Sequence, residues 1–200
     1  MTGVQLGDDA VLFVTNVLNH LSPTAPPTTV VRAGTVVRVV LDLRSNRVVS
    51  ERVIANGLPE RNDPGALVVG PTGVGLGFHG AVLYVASTED NRIRAVPAPF
   101  FLQRPVFGPG FTVTSAGSLN APLGLTVAPN GDIITVNGGD GNAVETMPLS
   151  GRQIRKVQLD NTVVPGSPNG SGTLFGIALT LDGKGLYFVD DGTNTLNLFS

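Results

Sequence analysis

Apolar residues in this chain come in short runs, VLFV at 11–14, VVRVVLDL at 36–43, VLYVA at 82–86, IITV at 133–136 and LYFV at 186–189, each with Gly, Asn or Asp within about four residues of either end. Runs this short, rich in β-branched and aromatic residues and closed by turn formers, read as strands. A helical period is nowhere sustained, so the pattern predicts an all-β protein.

The strands recur in units. GVQLGDDAVLFVTN from Gly3, GVGLGFHGAVLYVAS from Gly73, GLTVAPNGDIITVN from Gly124 and GIALTLDGKGLYFVD from Gly176 each open on a glycine. In each, a turn (GDDA, GFHG, APNG, LDGK) leads into a strongly apolar second strand. Three units continue to a third strand through an Asn-bearing turn, TEDNRIRAV, GGDGNAVETM and DGTNTLNLF, whereas the first passes through an insertion at 17–34 before GTVVRVVLDL. Fourth strands follow in three units as RVVSERVI, FTVTS and QIRKVQL; the last unit stops after its third. Gly73, Gly124 and Gly176 recur about every 50 residues, and four short strands per repeat of that length describe the blades of a β-propeller. The expected blades are 1–56, 71–115, 122–160 and 174–200, four-stranded and antiparallel, the last incomplete.

PTGVGLGFHGAVLYVASTEDNRI and PLGLTVAPNGDIITVNGGDGN resemble the repeat of NHL-type propellers: Pro and Gly before an alternating strand, an apolar strand ending in a short polar residue, then an Asn-bearing turn. The resemblance covers nearly the whole chain as four degenerate units and implies a bacterial, exported (secreted or cell-envelope) protein whose relatives usually have six blades. On that expectation 1–200 is the C-terminal part of a longer protein, monomeric at full length, with two blades and any signal peptide upstream. A four-bladed ring closed imperfectly is the alternative.

Composition narrows the chemistry. Apolar residues make up 42% of the chain and charged residues 14%, which marks a globular chain. A net charge of −2 without a basic cluster argues against a nucleic-acid surface. The absence of Cys removes thiol nucleophiles and thiolate metal sites, and no apolar run reaches the length of a membrane span.

Two glycine-rich stretches imitate ligand loops. NGGDGN at 137–142 carries Asp140 alone where a calcium loop needs several carboxylates, and no helix follows to cradle a phosphate, so it reads as a hairpin turn. GPTGVGLG at 70–77 lacks the Lys-Ser/Thr ending of a nucleotide loop and opens a strand.

Function is expected on the face that carries the long connections, 17–34, 56–72, 116–122 and 160–175. That face holds Glu60, Asp63, Glu89, Asp90, Asp140, Asp160, Asp190 and Asp191 against Arg32, Arg61 and Arg92, which for the most part read as solvated loop charges. Lactonases of the gluconolactonase type hold a divalent cation in the channel, some ligands standing just before the first strand of a blade. The matching positions here are Thr2, Thr72, Leu123 and Phe175, and Leu and Phe cannot bind a hard cation. His20 and His79 fall on opposite faces and form no acid–base pair. No catalytic or metal residue is assigned. Candidate ligand-binding residues are Asn16, Ser87, Asn137 and Asp190, which close equivalent strands, and Asp191. The resulting expectation is a non-catalytic binding or scaffold module for a protein or small ligand, without a cofactor unless a divalent cation such as Ca2+ sits there. The alternative is a metal-dependent, lactonase-like hydrolase with further site residues upstream.

Overall fold

The computed structural model describes residues 1–200, the side chain of Leu67 excepted. Sixteen strands form four antiparallel sheets in which chain neighbours are sheet neighbours. The first holds β1 (Thr2–Leu6), β2 (Asp9–Asn16), β3 (Val31–Asp42), β4 (Arg47–Asp63) and β5 (Leu67–Val69). The second holds β6 (Pro71–Gly77), β7 (Val82–Ser87), β8 (Arg92–Pro97) and β9 (Phe111–Ser115). The third holds β10 (Pro122–Val127), β11 (Ile133–Asn137), β12 (Asn142–Met147) and β13 (Arg152–Gln158). The fourth has only β14 (Leu174–Leu179), β15 (Leu186–Asp190) and β16 (Thr195–Phe199). This is a β-propeller of four blades, the last lacking a fourth strand. Among the described residues no helix is long and apolar enough to cross a membrane.

The unbroken apolar runs of β7 and β11, the second strands of the two middle blades, follow from the two-residue period of a strand buried on both faces. In β7, Leu83 and Val85 turn back to pack with Val11, Phe13, Val36 and Ile54 of the first blade. Tyr84 and Ala86, one residue out of phase, turn forward and pack with Leu125, Ile133 and Val144 of the third. Val136 and Ala143 of the third blade meet Leu174 and Phe188 of the fourth in the same way.

Inner strands β6, β10 and β14 lie side by side. Their glycines allow backbone to touch backbone. A Cβ on Gly73 would stand 2.5 Å from the Leu125 nitrogen, and one on Gly124 would drive into the Phe175 carbonyl oxygen. Threonine hydroxyls stitch blade to blade as well: Thr15 Oγ1 donates to Thr72 O (2.8 Å) between the first and second, and Thr88 Oγ1 to Pro122 O (2.7 Å) between the second and third.

Two sequence expectations are corrected. Gly3 does not join the glycine row. Leu6 pairs with Asp9 across Gly7–Asp8, whereas Gly77 pairs with Val82 across Phe78–Ala81, so the shorter turn slides the register of β1. Thr2, opposite Phe13, takes the place that Gly75 holds opposite Tyr84, and Gly3 turns to the other face. The segments 17–34 and 56–72 are also not loops throughout. Strand β3 begins at Val31, and β4 continues to Asp63 before turning into β5. Asp63 Oδ1 makes that turn by accepting the N–H groups of Gly65 (2.9 Å) and Ala66 (3.0 Å).

Candidate functional site

The axis of the blades opens into a cavity of about 310 Å3. Its side-chain walls include Met1, Thr72, Leu123 and Phe175, with Gly73, Gly124 and Gly176 between them. Of these four side chains only Thr72 carries oxygen, and its hydroxyl is engaged with the Leu123 carbonyl at 3.0 Å.

The candidate residues at the ends of the second strands sit at the seams and not in one chamber. Ser87, Asn137 and Asp190 are buried, and Asn16 is exposed. Alternation explains this: Ser87 continues the backward-facing row of Leu83 and Val85, and Asn16 continues that of Leu12 and Val14, behind which none of the other three blades stands. Among the described residues no hydrogen bond joins any two of Asn16, Ser87, Asn137 and Asp190. Asn16, Asn137 and Asp190 instead serve their own turns, as short polar side chains at strand ends do. Asn137 Nδ2 donates to Ser118 O (2.8 Å) and Asp140 Oδ1 (2.9 Å); Asp190 Oδ1 accepts the Thr193 N–H (3.2 Å); Asn16 Nδ2 donates to Asn19 Oδ1 (3.1 Å). Ser87 Oγ is buried without a partner, and Asp191 is exposed.

NGGDGN is a knitted turn. Asp140 Oδ1 also accepts the Asn142 N–H, its Oδ2 takes the Lys156 ammonium at 3.0 Å, and its carbonyl accepts Asn142 Nδ2 and Gln158 Nε2. Burial works against ionisation of Asp140, but the hydrogen bonds from Asn142 and Asn137 and the Lys156 charge outweigh it and hold the carboxyl below its ordinary range.

Four of the eight acids of the long-connection face, Asp63, Glu89, Asp90 and Asp140, stand in ion pairs. Arg61 Nε meets Glu89 at 2.6 Å and its Nη1 meets Asp63 at 2.8 Å, while Arg94 and Arg92 share Asp90 at 2.5 and 3.4 Å. Glu60 departs furthest from a solvated loop charge. It lies within β4 opposite Val31 and is fully buried. Its Oε2 accepts the Leu18 N–H at 2.9 Å, and Oε1 is buried without a partner. Burial raises its pKa, against the opposing pull of the Leu18 and Asn19 N–H groups and of His20. Leu18 and His20 flank this anchor at φ 67° and 58°, left-handed conformations that non-glycine residues adopt at a free-energy cost. Glu60 is the residue whose role the sequence least betrayed; its place in the polar run PERND gave no sign of burial.

No protein-family model matches the chain, and no curated protein matches it. Solved structures do. A luciferin-regenerating enzyme superposes with a TM-score of 0.57 at 11% identity, over 97% of this chain and 54% of that one. A gluconolactonase from Xanthomonas campestris gives 0.57 at 14%, over 94% and 52%. Regucalcin from Agrobacterium tumefaciens, described as a calcium-binding protein, gives 0.54 at 15%, over 93% and 52%. The likeness shows the propeller fold, and the chain spans about half the length of these structures. A channel cation of the kind such a neighbour implies does not fit the lining found here. Leu123 and Phe175 offer no oxygen, Thr72 is engaged, and among the described residues no three of His, Cys, Asp and Glu come together.

Proposed function

We propose that this chain contributes blades and part of a small-molecule-binding face to a propeller hydrolase of the lactonase type. The observation that carries this reading is the fold: structures it superposes on with TM-scores above 0.5 include a gluconolactonase and a luciferin-regenerating enzyme. In this reading the ligands of the divalent cation lie outside residues 1–200, in further blades of a six-bladed ring, and the channel of these four blades supplies an apolar wall. Of the candidate ligand contacts, Asn16 and Asp191 are the ones whose side chains reach solvent. The NHL-like repeat, a bacterial source and export to the cell envelope or medium belong to the same proposal and rest on the repeat pattern.

A second reading is favoured by Leu123 and Phe175: a non-catalytic module that binds a protein or small ligand on its long-connection face. One experiment separates the two. The protein expressed from its whole reading frame is melted with and without Ca2+ or Zn2+, and hydrolysis of D-glucono-δ-lactone is followed under the same conditions. A cation-dependent rise of the midpoint together with turnover supports the hydrolase, since a bound ion stabilises the folded state by linkage. No rise and no turnover overturns it in favour of the binding module.

A further inference from the structure

Arg38 and Arg94 are two arginines buried to the same degree, each 6% exposed. Arg94 meets Asp90 at 2.5 Å. Arg38 is in no ion pair among the described residues. Its Nη1 donates to the carbonyls of Pro99 (3.2 Å) and Phe100, and its Nε is buried without any partner. Two neutral carbonyls hold the guanidinium in place but leave its charge unmatched, and a charge out of water without a counter-charge is strongly disfavoured. Of the two cross-strand partners of Arg38, one is Phe13 and the other is another cation, Arg52. Burial, and after it the Arg52 charge, both press the Arg38 pKa below its ordinary value.

The guanidinium forms part of the wall of a cavity of about 720 Å3 between the first two blades, at the end of the molecule opposite the long connections. The rest of that wall is apolar: Val4, Leu6, Val11, Val40, Leu76 and the two phenylalanines Phe100 and Phe101. His79 stands exposed at its edge, and no carboxylate lines it. Phe100 is fixed edge-on to Phe13, ring centroids 5.1 Å apart, so this wall is preformed. An apolar cavity of this size with one convergent charged group has the make-up of a small-molecule pocket.

We propose that this cavity binds an apolar molecule bearing a single carboxylate, its chain or ring against Leu6, Leu76 and Phe101 and its carboxylate on the free edge of Arg38. The bound carboxylate supplies the counter-charge that the protein itself withholds. Guanidinium suits this role because it keeps its charge and its Nη2 group, unlike Nε, is neither fully buried nor hydrogen-bonded among the described residues. The site is separate from the channel and from the long-connection face, and its test uses neither a metal nor a lactone.

Octanoate, octanol and octyltrimethylammonium are titrated into the 200-residue chain by calorimetry. Octanoate is expected to bind at least about tenfold more tightly than octanol, with the ammonium weakest. Equal affinity for octanoate and octanol, or no octanoate binding up to about 10 mM, a Kd beyond which the attraction is negligible, overturns the proposal. Arg38→Met is expected to erase the preference for octanoate, and Arg38→Lys to retain part of it. Because a change at a buried arginine can unfold the chain, Val4→Glu gives a second handle at a half-exposed rim position. A glutamate there supplies an internal carboxylate, so octanoate affinity falls at least about tenfold while the thermal midpoint is kept or raised. Retention of octanoate binding by folded Val4→Glu overturns the assignment of Arg38.

Discussion

Tyr84 and Tyr187 hold one register position in two blades, yet Tyr84 is 2% exposed and Tyr187 40%. Tyr84 pairs with Gly75 and Ala95, Tyr187 with Ala178 and Leu198, and both point forward out of their sheets. Tyr84 lands on the third blade. Tyr187, with Val189, Leu196 and Leu198 beside it, faces none of the other three blades of residues 1–200. The same sheet face is therefore core in one repeat and bare apolar surface in another.

Truncating the two tyrosines tests this asymmetry. Tyr84→Ala is expected to destabilise by about 3–5 kcal/mol, as for other large aromatic side chains lost from a core. Tyr187→Ala is expected to stay within about 1 kcal/mol in the 200-residue chain. Urea unfolding of both variants at one protein concentration checks it, and equal losses contradict the seam described.

The glycine row gives a parallel contrast. Gly124→Ala forces a methyl into the Phe175 carbonyl and is expected to cost about 1–3 kcal/mol through overpacking. Around Gly176 the nearest atom to an added Cβ is a Val189 methyl of the same blade at 3.8 Å. Gly176→Ala is expected to be neutral or to stabilise by about 0.4–1 kcal/mol, because it restricts the unfolded chain without a clash. Thermal midpoints rank the two.

Glu60 predicts a pH slope. Its folded pKa is raised, so the folded state holds its proton more tightly than the unfolded chain, whose glutamates titrate near about 4.3. Stability therefore declines as pH rises from that value to the folded pKa. Glu60→Gln keeps an oxygen for the Leu18 N–H and removes the ionisation. Its stability curve is expected to lose this decline and to lie at or above the parent at neutral pH. Chemical unfolding across pH 4–8, a window set by the ordinary glutamate range, reads the difference.

Asp140 predicts the opposite sign. Its folded carboxyl lies below the ordinary aspartate range of about 3.9, so its stabilising contribution is present above that value and is lost as pH falls through the folded pKa. Asp140→Ala removes the acceptor of Lys156 and one of the two acceptors of the Asn137 amide and is expected to cost about 1–3 kcal/mol at neutral pH. The loss should shrink in acid, and unfolding at two pH values measures it.

Much of the propeller was readable because a strand repeats every two residues and a blade must bury both faces. VLYVA and IITV could not be amphipathic hairpins with one wet side, and NGGDGN had too few carboxylates to be anything but a turn. The register of β1 was less readable. GVQLG looks like GVGLG, but the tighter Gly7–Asp8 turn moved Gly3 to the other face, and turn length acts on register through geometry that a pattern match ignores. The polar row Asn16, Ser87, Asn137 and Asp190 was legible as equivalent positions, but not as seam residues hidden from one another. That follows from which blade stands behind each.

The alternation of apolar residues, the recurring glycines and the turn chemistry determine four successive sheets and their order, since these depend on neighbours close along the chain. Which charges are neutralised and which stand alone is decided only when distant segments meet. Arg94 finds Asp90 four residues away, whereas Arg38 reaches the Phe100 carbonyl across a blade seam and finds no acid there. Desolvation and Coulomb attraction depend on distances in space, and those distances come into being with the packed structure.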